Sequence, residues 1–435
     1  MSDPNGPKLA RARCFVLASA ISSSSRTAEH MAQQIRPSTA EELREVVAWA
    51  AAEERPLEIL GAGSKRTLGR PVEADIEIAL AGLAGIGLYE PAELVMSARA
   101  GTPLGEIEAR LADNHQQLAF EPPDYGARLG GEPGRATIGG VLACNLSGPR
   151  RIKAGAARDH FLGVQAVTGR GDLIKSGGRV VKNVTGYDLC KLFAGSFGTL
   201  VAMTEVTFKV LPAAEHETTL LLRARTREAG FAALRIAMNS AGDVAGAACL
   251  PAAAAAGSAV PVVAAGAGDL AALRLEGPAP SVRERAERLK ASLASEGELD
   301  ELAPAESATL WREIRDVALL PRDAPLWRVS VPPTAGAPLL EALERVLRLE
   351  WLADWAGGLL WLAVEDAGDA GATQIRAQLA ESGGHATLVR GGADLRAAVP
   401  VFQPQHPALA RLSARVKDSF DPTRILNRGR MYADA

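Results

Sequence analysis

Cysteine is scarce in this sequence: Cys14, Cys144, Cys190 and Cys249 are the only four in 435 residues. None belongs to a C-x-x-C pair and none has histidines at zinc-finger spacing. That excludes a zinc ribbon, and it leaves the chain without a cysteine cluster for an iron–sulfur centre. A disulfide framework is excluded as well, so the sequence points to a reducing compartment in which these thiols act as small core hydrophobes. Excess charge is missing too. A net charge of -3 and a pI near 6.2 give no general pull towards nucleic acid or an anionic membrane. The six histidines, His30, His115, His160, His216, His385 and His406, are scattered, with no pair at i, i+2 or i, i+4. The one long uncharged stretch, 244–268, is mostly Ala and Gly and is interrupted by Pro251 and Pro261. Alanine gains little from transfer into lipid, so the stretch reads as strand, low-complexity loop, strand, and no transmembrane span is expected.

What is present fits a multi-domain globular protein. Apolar residues make up 47% and charged residues 23%, and at roughly 100–200 residues per domain the length suggests two or three units. Lys8, Arg11 and Arg13 precede an apolar run at 14–21, the outline of a short signal peptide. The simpler expectation for 1–30 is an extension, disordered or lying ahead of a true start at Met31. Ser38-Thr39-Ala40-Glu41 has the capping-box form, with Ser38 as cap. Leu43, Val46, Val47 and Ala50 then mark one face of a helix. Short strands are expected at 57–60, 76–80, 85–89 and 94–98, and a helix from Thr102-Pro103 to about Leu111. Residues 121–148 are rich in Gly and Pro, and so long an irregular stretch is usually a functional loop. Strands follow at 161–168, 172–175 and 200–211. From 214 onward, strands near 218–223, 244–250, 270–276, 326–331, 358–364 and 386–390 alternate with amphipathic helices. This predicts an open α+β sheet covered on one face by helices, with Trp311, Trp327, Trp351, Trp355 and Trp361 in its core.

Several loops carry chemistry. Gly61-Ala62-Gly63-Ser64-Lys65 directly follows a strand; its glycines let successive N–H groups converge on one anion, Ser64 and Thr67 can add hydroxyl donors, and Lys65 or Arg66 can add positive charge. A dinucleotide-binding Rossmann turn is excluded, because Arg66 stands where the third glycine would be and a strand, not a helix, follows. A second signal is the run from Thr137 through Gly139, Gly140, Ala143, Cys144 and Asn145 to Gly148, preceded by Glu121-Pro122-Pro123-Asp124. The paired glycines allow a backbone to approach a flat or charged ligand. Arg158-Asp159-His160 and the stretch 182–200, ending in Gly195-Ser196-Phe197-Gly198-Thr199, complete the set.

In this order the four motifs resemble the FAD-binding domain of the vanillyl-alcohol oxidase/PCMH superfamily, over about 34–211. The resemblance implies an α+β fold: a PCMH-type two-subdomain FAD-binding domain, an α+β cap domain with an antiparallel sheet, and a C-terminal segment returning to the flavin. The corresponding divisions are 1–30, 31–213, 214–405 and 406–435. Residues Gly61, Ala62, Gly63, Ser64, Lys65 and Thr67 are expected on the pyrophosphate. Pro123, Thr137, Gly139, Gly140, Ala143 and Asn145 are expected along the pyrophosphate and isoalloxazine, Gly198 and Thr199 near the flavin or ribityl chain, and Asn427 at the flavin edge. Trp327-Arg328-Val329-Ser330-Val331-Pro332, Gly383-Gly384-His385-Ala386-Thr387 and Gly429-Arg430-Met431-Tyr432 further resemble the E-subunit family of bacterial glycolate oxidases. That family implies a larger FAD-linked subunit that oxidises the 2-hydroxy acid, an iron–sulfur subunit, glycolate or a similar small 2-hydroxy acid as the substrate of the complex, and a cytoplasmic location with peripheral contact to the inner membrane.

The pattern departs from the catalytic members of this branch, which carry an H-x-H-x-G-D-G-N type run that ligates metal; nothing like it occurs here. Electron relay is therefore expected in preference to independent substrate oxidation. No metal is expected. No His or Cys lies within 61–67, where covalent flavin attachment often occurs in the superfamily, so FAD is expected to be non-covalent. His385, as a proton donor or acceptor, and Arg328, as a partner for a carboxylate or a reduced flavin, are the candidate catalytic groups. Lys182, Asn183 and Tyr187 are expected as scaffold. The alternatives are a self-sufficient FAD-dependent dehydrogenase for glycolate or D-lactate, and a structural subunit that no longer uses flavin.

Overall fold

The computed structural model describes residues 33–179, 186–266, 268–365 and 368–433. The terminal extension with Cys14, and Lys182 and Asn183, lie outside the described residues. The described residues from Gln34 onward form one compact unit.

The first helix, Ala40–Ala52, is capped by Thr39 and not by Ser38. The Thr39 hydroxyl accepts from the Glu42 amide at 3.1 Å, while Glu42 accepts from the amide and hydroxyl of Ser38. The Thr39 half of a capping box is present, shifted by one residue, and the Glu42 carboxylate holds the Ser38 amide ahead of the cap. Leu43, Val47 and Ala50 bury its inner face against Leu57, Ile76 and Ile78. The last three belong to two parallel strands, Leu57–Leu60 and Ile76–Ala79, with Leu57 opposite Ile76.

A five-stranded antiparallel sheet follows, in the spatial order Ile86–Glu90, Val95–Arg99, Val201–Lys209, Phe161–Thr168 and Leu173–Gly177. The expected irregular stretch ends earlier than the sequence suggested. Residues Ile138–Cys144 form a helix whose N-cap is Thr137, so Gly139 and Gly140 sit in a first helical turn. Packing explains the paired glycines: a Cβ at Gly139 would lie 2.7 Å from the Ala100 side chain, and one at Gly140 would lie 3.1 Å from Lys65 Cε.

The second half is one eight-stranded antiparallel sheet. By residue range its order is 297–302, 216–224, 270–277, 246–250, 349–354, 359–364, 326–330, 385–390. Helices Arg227–Met238, Ala279–Leu293, Gly336–Glu344 and Ala372–Ser382 pack on one face. The opposite face is not bare, as a one-sided covering would leave it. It holds helix Pro304–Arg315, two short helices of the Ala-rich stretch, and Tyr125, Leu129 and Phe197 from the first half. Among the described residues no helix is long and apolar enough to cross a membrane.

Candidate functional site

A cleft opens where the Leu57–Leu60 strand runs into the glycine loop. Eleven of the residues singled out from the sequence line it: Gly61, Ala62, Gly63, Ser64, Lys65, Thr137, Gly139, Gly140, Ala143, Gly198 and Asn427. The loop is held by close approach. A Cβ at Gly61 would lie 2.3 Å from the Thr137 hydroxyl oxygen, and Gly63 turns with φ +80, which glycine adopts without strain. Thr137 therefore caps one helix while packing on the loop opposite.

The two basic residues of the loop have different fates. Lys65 Nζ makes one hydrogen bond, to Ser64 Oγ at 3.1 Å, and no ion pair among the described residues. Burial lowers its pKa, with Cys144 and Asp124 acting in the other direction. The Arg66 guanidinium is committed to two carboxylates: Glu58 at 2.7 Å, and Glu77. Lys65 is thus the positive charge available to a ligand in the cavity. Cys144 also lines the cavity, and burial raises its thiol pKa, so it remains a protonated packing residue at neutral pH.

The end of the chain closes the site from below. Leu426 bridges in parallel to Leu57, and the Asn427 amide donates to the Leu57 carbonyl at 2.9 Å. The Asn427 side chain accepts from the Ile59 amide at 2.8 Å and donates to the Phe197 carbonyl at 2.8 Å and the Ile59 carbonyl at 3.4 Å. It is buried and fully used in tying the strand to the 197–199 turn. Arg430 donates to the carbonyls of Arg66 and Leu68 and pairs with the buried Glu58 at 2.5 Å, bracing the glycine loop. Lys417 bridges the Thr199 carbonyl (2.6 Å), Asp421 (2.7 Å) and the Leu426 carbonyl (2.9 Å), which fixes the turn before Asn427.

Four expected residues do not line the cavity. The Thr67 hydroxyl donates to the Leu129 carbonyl at 3.0 Å, and that of Thr199 to the Ser196 carbonyl at 2.7 Å. Asn145 ends its helix in a left-handed conformation and accepts from the Arg158 amide at 3.0 Å. Pro123 is buried in a segment that docks on the large sheet, where the adjoining Glu121 makes a bidentate pair with Arg274, both contacts 2.8 Å. Arg328 and His385 also lie outside the cavity, on neighbouring strands Leu326–Ser330 and His385–Arg390. Arg328 stands opposite Thr387 and Ser330 opposite His385, which puts Arg328 and His385 on one face of the sheet. Partial burial, then the charges of Arg328 and Arg151, lowers the His385 pKa and keeps it neutral at pH 7. Tyr187 is exposed. Sequence reasoning missed the roles of Arg430 and Lys417. The one available signal was Lys417 and Asp421 at i, i+4, a spacing that brings helix side chains together.

An FAD binding domain family matches residues 31–177. Glycolate oxidase subunit GlcE of Escherichia coli (strain K12) is 36% identical over 397 residues, covering 90% of this chain and 97% of that protein. Glycolate oxidase subunit GlcD of Bacillus subtilis (strain 168) is 42% identical over 102 residues, or 23% of this chain and 21% of that one. The crystal structure of p-cresol methylhydroxylase with substrate bound superposes with a TM-score of 0.68 over 92% of this chain and 88% of that one; at 15% identity this speaks to the fold alone. That fold is the PCMH-type α+β arrangement. With 36% identity across almost the whole length of both proteins, the chain belongs to the glycolate oxidase subunit GlcE family of FAD-linked oxidoreductases.

Proposed function

We propose that this chain is the non-covalent FAD-carrying subunit of a glycolate oxidase, relaying electrons from glycolate oxidation within a complex. The observation that carries the reading is Lys65: a cationic group without an ionic partner among the described residues, facing a cavity lined in part by glycine backbone. An ammonium together with converging amides is a diphosphate's complement. Hydrogen bonds to a charged group contribute roughly 1.5–3 kcal/mol each, so a few of them hold a dinucleotide without a covalent bond. Residues Gly61, Ala62, Gly63, Ser64 and Lys65 would hold the pyrophosphate, with Thr137, Gly139, Gly140 and Ala143 on the opposite wall. Gly198 and Asn427 close the cavity's other side, Asn427 by holding backbone. Thr67, Pro123, Asn145 and Thr199 act through the loops they stabilise. In domain terms, 31–213 is the flavin domain, 214–405 the cap and 406–435 the returning segment.

When bound, FAD supplies a two-electron acceptor that can also pass electrons on singly. Conversion of glycolate to glyoxylate releases two electrons and two protons. The sequence carries neither the histidine run used for metal-assisted oxidation nor a cysteine cluster for onward transfer. A larger FAD-linked subunit is the proposed site of substrate oxidation and an iron–sulfur subunit the next carrier, the assembly lying in the cytoplasm and peripheral to the inner membrane. A self-sufficient 2-hydroxy-acid dehydrogenase is favoured by one observation: Arg328 has no ion pair among the described residues and can take a carboxylate. Anaerobic mixing of the FAD-loaded chain with glycolate separates the two. Relay predicts no bleaching of the flavin until the larger subunit is added, whereas bleaching by the isolated chain at turnover rates would establish the self-sufficient enzyme.

A further inference from the structure

We infer that Arg151 and Arg328, gathered on the indole of Trp355 beside His385, form a clamp for the carboxylate of a small 2-hydroxy or 2-oxo acid. The inference goes beyond the electron-relay reading and rests on the proposed flavin site only for the acid's nearness to the cofactor: the clamp requires that a small acid binds here, not that this chain oxidises it.

Both guanidiniums lie over the same ring, that of Arg151 at 4.2 Å and that of Arg328 at 4.9 Å from its centroid. Stacking on an aromatic face orients a guanidinium but leaves its in-plane N–H donors free. Neither arginine has a hydrogen-bonded or ion-paired acid among the described residues. Other arginines of the same half do: Arg274 pairs with Glu121 at 2.8 Å, and Arg227 with Glu344 at 2.6 Å. The acid nearest in charge to Arg328 is Asp354, which is 2% exposed and accepts from the Trp355 amide at 2.7 Å. Burial pushes its pKa up to about 7, so it compensates the two cations incompletely. Two like charges and one half-neutral acid leave a local excess of positive charge that an anion relieves.

The position suits a substrate. Trp355 Nε1 donates to the Gly148 carbonyl at 3.0 Å. Gly148 is four residues beyond Cys144, which lines the cavity, so at about 3.6 Å per residue the clamp is anchored within about 14 Å of the cavity wall. The face carrying Arg328 also carries Trp361, with Tyr125 against it at 5.8 Å between ring centroids. Arg151 is exposed and Arg328 half-buried, so the clamp has an open jaw and an inner one. His385 adds a neutral imidazole beside them, able to hydrogen-bond the hydroxyl or keto oxygen of the bound acid.

The test is calorimetric titration of the full chain with oxalate, with and without FAD, alongside Arg328→Met and Arg151→Gln. The expected result is a single oxalate site that weakens about 10- to 100-fold in either variant, with FAD affinity unchanged in both. Arg151→Gln alters an exposed side chain, so it reports even if Arg328→Met fails to fold. Equal oxalate affinity in wild type and Arg151→Gln, or no oxalate binding by wild type, would overturn the clamp. Inorganic phosphate binding as tightly as oxalate would overturn the assignment to carboxylates. Loss of FAD binding by wild type, with oxalate binding intact, would instead count against the flavin reading and leave the clamp standing.

Discussion

Replacing Asn427 by alanine removes the contacts that tie the chain end to both walls of the cavity. The side chain is 2% exposed and makes three hydrogen bonds, to the Ile59 amide, the Ile59 carbonyl and the Phe197 carbonyl. Two are short, at 2.8 Å, and one is long, at 3.4 Å. A net 0.5–1.5 kcal/mol for each good bond, plus the cost of leaving buried backbone groups unpaired, gives a loss of about 2–4 kcal/mol. Asn427→Asp separates donor from acceptor. It keeps the acceptor for Ile59 but turns a second oxygen towards two carbonyls, which disfavours the ionised form and raises the folded-state pKa above the unfolded value of about 3.9. The variant therefore approaches wild-type stability below that value and loses it as pH rises through the raised one. Urea unfolding followed by circular dichroism at pH 5 and pH 8, with FAD affinity from fluorescence quenching, reads both effects. A loss below about 0.5 kcal/mol in the alanine variant, or a pH-independent penalty in the aspartate variant, would refute the assignment of Asn427 as a tie between loops.

Lys65→Met is expected to weaken FAD about 10- to 100-fold. Burial lowers the ligand-free Lys65 pKa and a bound diphosphate raises it, so wild-type affinity should fall as pH rises through the lowered value; titrations between pH 7 and 10 should find that slope absent in the variant. Glu121→Ala strips the buried Arg274 of its bidentate partner and leaves Glu276 at 3.3 Å, so a loss of about 3–5 kcal/mol is expected in denaturant unfolding. Asp354 titrates in the fold at about 7, well above its unfolded value, so wild-type stability should decline as pH rises from about 4 towards 7, by as much as about 4 kcal/mol. Asp354→Asn should flatten that decline in pH-dependent melts and be the more stable protein at pH 8.

The sequence made the cavity legible because its signals are local. Its glycines and their neighbours lie in short runs at 61–65, 137–143 and 198, and eleven candidates, Asn427 among them, line one cavity. Strands with apolar alternation were equally legible. Strand Gly297–Leu302 was not, since Gly-Glu-Leu-Asp-Glu-Leu has an edge strand's charge. Leu349–Asp354 was missed because Arg345-Val346-Leu347-Arg348 joins it to the preceding helix with no Gly, Pro, Asn or Asp between them. The helix at Ile138–Cys144 was hidden because paired glycines oppose helix propensity, and packing against Ala100 overrides that. Non-local chemistry left no trace in one dimension. Glu58 meets Arg430 across 372 positions, and Arg151, Arg328 and Trp355 meet only once two layers pack.

Whether the flavin is held without a covalent bond can be read from the visible absorption spectrum of the purified chain and of its acid-precipitated supernatant. Flavin bands should be present in the protein and move entirely into the supernatant. Bands retained in the pellet would mean a covalent link and contradict the non-covalent assignment. A colourless protein that cannot be reconstituted with FAD would contradict the role given to Lys65 and the glycine loop.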